Sequence, residues 1–195
     1  MQVEQLAKVT AANVEEVRAL AAAGAFELPA AGELIPVQYL NGLLAARDYG
    51  AAVKFLAFAL PPREGVWWAC TCARLELEEG ASKAVLAALQ AAETWVRYPT
   101  EDNRRAAMAC AQATDFRSPA SWAAVAAFWS GGSMAPPGLP EIPAAAHLVG
   151  VAVAGAVALA AVLSEPQRAD EKRERYLAAA IDIANGGSGR KLSGG

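Results

Sequence analysis

The sequence predicts an all-α fold, a single compact domain of about eight helices around one central apolar helix. Three observations predict it. Residues 143–163, PAAAHLVGVAVAGAVALAAVL, contain no charged residue and are apolar on every side of a helical wheel, so a helix there belongs inside a protein. The rest of the chain divides at cap residues, prolines and glycines into segments with helical apolar spacing. No stretch shows convincing β alternation, and no repeat period is clear.

Within 143–163, Ala146, Gly150 and Ala154 recur every four residues, a smooth stripe that lets another backbone come close. A run of about 20 apolar residues can also span a bilayer. This one is mostly Ala, Gly and Val, with no Lys or Arg close before it and no flanking Trp or Tyr, so a buried helix in a soluble domain is the preferred reading.

Composition agrees. The 195 residues suit one domain, and the 55% hydrophobic share is rich in alanine. The net charge of −3 argues against nucleic acid as the main partner. The opening MQVEQLAKVTAANVEEV lacks the pattern of a signal peptide. Three cysteines, two of them only two apart, make no disulfide framework, so a cytoplasmic location is expected. The expected division is an N-terminal helix and connector (1–34), a helical core (35–186) and a flexible tail (187–195).

In chain order, Asn13 caps a first helix that Gly24 stops, with Glu15 and Glu16 in its first turn. Pro36 opens a second helix. Asp48 caps a third, in which only Lys54 interrupts the apolar surface. Pro61 and Pro62 start a fourth, read through to Gly80, in which Arg63 can cover Trp67 and Glu64 can lie beside Trp68. Ser82, Thr100 and Ser118 cap three more, the last carrying Trp122, Val125, Ala126 and Trp129 at i, i+3, i+4 and i+7. A stiff loop follows, SGGSMAPPGLPEIP. After the central helix, Ser164 is expected to cap a final helix whose 168–175 segment, RADEKRER, is a solvated face.

Few groups offer chemistry. His147 is the only histidine and is read as a helix-end residue, not a catalytic one. Cys70 and Cys72 stand about 200° apart on a helix and cannot share a metal on one face. With Cys110 as the third thiol, core cysteines are expected, with no metal and no cofactor. Ser130-Gly131-Gly132-Ser133 resembles a phosphate-cradling turn in composition only. The five tryptophans are the better signal, because aromatic residues dominate binding hot spots. The candidate binding residues are Arg63, Glu64, Trp67, Trp68, Trp129, Ser130, Gly131, Gly132 and Ser133. Arg63, Glu64 and one of the paired rings are expected near 130–137, as one polar-aromatic patch.

The string FLAFALPPREGVWWACTCAR, residues 55–74, together with AFWSGGSMAPP, residues 127–137, resembles a bacterial family of unknown function. Members carry an LPxREAVWW-type motif and a tryptophan helix running into an SGGS loop. The resemblance covers roughly 36–163. Members often have Lys at position 62 and Ala at 65, where this chain has Pro62 and Gly65. The family looks like one found beside type VI secretion genes, often near spike-tip proteins. It implies no catalytic residue. The expected function is therefore a non-enzymatic cytoplasmic protein-interaction module, an adaptor or chaperone for a secreted effector or spike component. The alternatives are a membrane-associated component using 143–163 as a span, and an enzyme using Ser130 or Ser133 with Arg63 or Glu64.

Overall fold

The computed structural model describes residues 2–190. Among them are nine α-helices and no strand: α1 (Val14–Ala23), α2 (Pro36–Ala45), α3 (Tyr49–Ala59), α4 (Pro62–Leu75), α5 (Lys83–Arg97), α6 (Glu101–Gln112), α7 (Pro119–Trp129), α8 (Leu148–Leu163) and α9 (Ala169–Ala184). A short 3-10 turn, Pro166–Arg168, joins α8 to α9. Asn13, Asp48, Ser82, Thr100 and Ser118 each accept a hydrogen bond from the backbone N–H three residues on, which satisfies a donor the helix start leaves unpaired.

The helix expected at 143–163 begins only at Leu148. Residues 143–146 are drawn away from it: Ser133 and Pro143 form an isolated antiparallel bridge, and the Met134 N–H donates to the Ile142 carbonyl at 2.7 Å. Ala146 is exposed and outside the helix, so only Gly150 and Ala154 of the expected stripe lie on α8. Nor is α8 the most buried helix. Eight of its 16 residues are buried, against nine of 11 in α7, which packs on α4, α5, α6 and α8. No single helix among the described residues is long and apolar enough to cross a membrane.

Five alanines of α7 (Ala120, Ala123, Ala124, Ala126 and Ala127) are at most 2% exposed. Side chains this small bring the facing helices close. Gly150 does the same where α8 crosses α3: a Cβ there would collide with the Phe58 ring. Gly24, at the end of α1, meets Phe58 and Val151 at the same junction.

Two further expectations change. α4 stops at Leu75, not near Gly80. Ser164 ends α8 and does not cap α9, because a left-handed Glu165 (φ 47°) and the 3-10 turn intervene. Within residues 1–34, Val3, Leu6, Val14, Val17 and Leu28 pack into the same core as the later helices. Asn41 pins the start of this segment, accepting from the Val3 N–H and donating to the Val3 carbonyl.

The contrast between two helical glycines tests this packing. Gly150→Ala should lower stability by about 1–3 kcal/mol through overpacking against Phe58. Gly42→Ala, where a Cβ meets nothing within 4 Å, should raise it by up to about 1 kcal/mol. Urea unfolding of the two variants checks both signs.

Candidate functional site

The proline at the start of α4 sets the paired tryptophans. Pro61 and Pro62 fix the first turn, and Trp67 and Trp68 then point about 100° apart. Trp68 is fully buried and its indole N–H donates to the Tyr176 carbonyl at 2.8 Å, so it belongs to the core. Trp67 stays half-buried at the surface. Its indole N–H donates to the Ser188 carbonyl at 2.8 Å, and the Arg190 guanidinium lies over its ring, 5.0 Å from the centroid.

Trp67 thus floors a cleft of about 370 Å³ between α4, the end of α5, the end of α9 and the N-terminal segment. Val96 and Ile183 complete the apolar part. Arg63 does not cover Trp67. Its Nε donates to the Val96 carbonyl at 2.6 Å, at the C-terminal end of α5. Glu64 does not lie beside Trp68 but pairs with Lys8 at 2.8 Å. Glu93 is held by Arg74 through two hydrogen bonds, at 2.8 and 2.6 Å. Both carboxylates of the cleft therefore have cations. Among the described residues, Arg63, Arg97 and Arg190 have no carboxylate partner.

Gly187 and Arg190, from the expected flexible tail, line this cleft. The Asn185-Gly186 turn, with Gly186 at φ 89°, reverses the chain. The Gly187 N–H donates to the Asp182 carbonyl, and the Gly189 N–H donates to the Asp182 carboxylate, both at 2.8 Å. Residues 187–190 are thereby seated beside Trp67. Residues 191–195 of that expected tail lie outside the described residues.

Trp129, Ser130, Gly131, Gly132 and Ser133 do not join Trp67; none of them lines the cleft. Trp129 packs edge-on against Trp122, with centroids 6.5 Å apart. The SGGS turn is clamped from α6. Arg104, 4% exposed, donates to the Phe128 and Ser133 carbonyls at 2.5 and 2.7 Å. Arg105 donates to the Ala135 carbonyl at 3.0 Å. The Ser133 hydroxyl accepts from the Ala135 and Ile142 N–H groups. Gly132 has φ 63°, and a Cβ there would press on the Arg104 guanidinium, so both backbone and space require glycine. Hydrogen bonds from Arg104, assisted by Arg105, pull the Glu101 carboxyl down to about 2. Ser130 donates to the Ala127 carbonyl. The serine-plus-Arg63 or Glu64 pocket required for an enzyme of the expected kind is not assembled.

Sequence reasoning missed a second clamp. Within the expected solvated face of 168–175, Lys172 turns inward and its side chain is 7% exposed. Its ammonium donates to Glu76 at 2.5 Å, and to the Ser164 carbonyl and hydroxyl at 2.6 and 2.9 Å. Tyr176 and Arg175 also donate to Glu76, at 2.7 and 3.0 Å. Burial alone would raise the Glu76 pKa. The hydrogen bonds from Lys172, Tyr176 and Ser164, with the Lys172 charge, outweigh it and hold the carboxyl below its ordinary 4.5. All three donors of Lys172 are occupied inside the protein, which marks this cluster as a structural tie between α4, α8 and α9. The only sequence hint was Lys172 four residues before Tyr176 on an otherwise charged stretch.

Cys70 and Cys72 are buried, and burial first, with nearby Glu93 and Glu76, pushes their thiols well above the ordinary range. Such thiols are poor nucleophiles. His147 occupies the N-cap of α8 without capping it. No group of three or more His, Cys, Asp or Glu among the described residues is placed to hold a metal ion.

The Glu76 clamp generates a prediction. Lys172→Met, which leaves a buried carboxylate short of its main cation, should cost about 3 kcal/mol. Lys172→Met with Glu76→Gln should recover much of that loss, because the two sites are coupled. The folded pKa of Glu76 lies below its unfolded value. Its contribution is therefore full above the unfolded value and is lost as pH falls through the folded one. Stability of the parent should drop on acidification below 4.5 more steeply than that of Glu76→Gln, as chemical denaturation across acid pH would read.

Comparison with known proteins adds one match. No curated protein and no solved structure matches the chain. A family model described as "Family of unknown function (DUF6931)" matches residues 39–184. That span continues past the expected 36–163 to the last residue of α9, so it includes the Glu76–Lys172 tie and ends just before the turn that seats the tail. The chain belongs to this family of unknown function, DUF6931.

Proposed function

We propose that the protein is a non-enzymatic protein-interaction module whose receiving surface is the cleft over Trp67. The observation that carries this reading is the gathering of Arg63, Arg97 and Arg190 around a half-buried tryptophan, with no carboxylate partner among the described residues. Like charges crowded together are unfavourable for the isolated fold. The two structural clamps differ, because each places a carboxylate among its cations. Aromatic and arginine side chains are also the residues most often dominant in binding surfaces. The resemblance to a family beside type VI secretion genes supports the finer reading, an adaptor or chaperone in the cytoplasm for a secreted effector or spike component.

The test separates binding from folding. Trp68→Ala should cost about 3–5 kcal/mol, and Trp67→Ala clearly less. The Arg97 side chain is exposed and makes no hydrogen bond among the described residues, so Arg97→Glu should stay within about 1 kcal/mol of the parent, the cost of an anion at the end of α5. In affinity purifications from the native host, Arg97→Glu and Trp67→Phe should lose a partner that the parent retains. Retention of every parental partner by both variants contradicts the reading.

A further inference from the structure

We infer that the segment received by the Trp67 cleft is acidic, with carboxylates held by Arg63, Arg97 and Arg190. This rests on the reading of the cleft as an interaction surface and names the chemistry of its partner. The first support is charge. Glu64 and Glu93 are already engaged by Lys8 and Arg74, so the cleft presents a local positive surplus on a chain whose net charge is −3.

The second support is presentation. The Arg63 Nε is fixed by its bond to the Val96 carbonyl, while its two terminal nitrogens have no acceptor among the described residues. A guanidinium held in this way offers a forked donor to a carboxylate at reduced entropic cost. The Arg190 guanidinium lies over the Trp67 ring, 5.0 Å from its centroid, and the exposed Arg97 at the end of α5 has no side-chain hydrogen bond among the described residues.

The third support is the floor. Trp67 and Val96 are apolar and only partly buried, which suits an apolar side chain standing between acids. The cleft is concave and of ligand-pocket size, a shape for a few residues of chain and not for a duplex. The overall negative charge also opposes long polyanions.

The experiment selects a random peptide display library on the full-length protein and measures the recovered peptides by fluorescence anisotropy. The expected result is enrichment of Asp and Glu beside apolar residues. Binding should weaken at least about tenfold with Arg97→Gln, with Arg63→Gln and with Glu→Gln changes in the peptide. Added salt should weaken it as well. Arg63→Gln also removes a helix-end bond, so Arg97→Gln is the decisive variant, and its melting should match the parent. Neutral or basic peptides that depend on Trp67 overturn the acidic assignment and leave the interaction surface standing. Recovery of no peptide sensitive to Trp67→Phe or Arg97→Gln overturns both. A single-stranded oligonucleotide that binds more tightly than the peptides, and loses binding in Arg97→Gln, overturns the protein-segment assignment.

Discussion

Close approach of small-residue helix faces is the constraint on which the rest of this structure depends. α7 contributes mainly alanine to the core, and α8 contributes alanine, glycine and valine. Each such side chain buries little apolar area, so its stabilisation is modest. Stability must come from many close contacts and from a few large residues between the alanine faces. Trp68, Tyr176, Phe55, Leu40 and Leu56 are among the large groups fully removed from water. Trp68 and Tyr176 also join α4 to α9 through the indole N–H and a backbone carbonyl.

Packing of this kind is close but weakly directional, because alanine faces tolerate sliding. Two charged clamps supply direction. Arg104 enters between α6, the end of α7 and the SGGS turn, where it fixes the loop that delivers the chain to α8. Lys172 and Glu76 fix the end of α4 and the α8–α9 connection. Buried ion pairs add little net stability over apolar groups, yet breaking one is strongly destabilising. Each clamp here joins segments far apart in the chain, Arg104 to the Ser133 carbonyl and Lys172 to Glu76.

Local chemistry was legible in the sequence, and long-range chemistry was not. Asn13, Asp48, Ser82, Thr100 and Ser118 were readable as caps because a cap and the N–H that donates to it lie three residues apart. The apolar character of α3, α7 and α8 was readable because it needs only composition and period. Lys172 and Arg104 were not readable, since a charged residue on a charged stretch looks solvated until its distant partner is known. Glu76 lies 96 residues from Lys172. The seating of residues 187–190 was hidden for the same reason: a Gly-Ser sequence reads as flexible until Asp182 and Trp67 are seen to hold it. Of the candidate site, Arg63, Glu64 and Trp67 share the cleft, Trp68 is core, and the Trp129–Ser133 segment serves a loop elsewhere. The motif pair looked like one surface because both parts are rich in tryptophan. Their physical roles differ.

The central claim is that a partner chain sits over the end of α5. Photocrosslinking in the native host tests it most directly, with benzoylphenylalanine replacing Tyr98, an exposed ring next to Arg97, or Leu86, exposed on the same helix. The account predicts a discrete protein adduct from position 98 that is absent from position 86, mapping to an acidic segment of the partner. Equal labelling from both positions, or none from position 98, would contradict it.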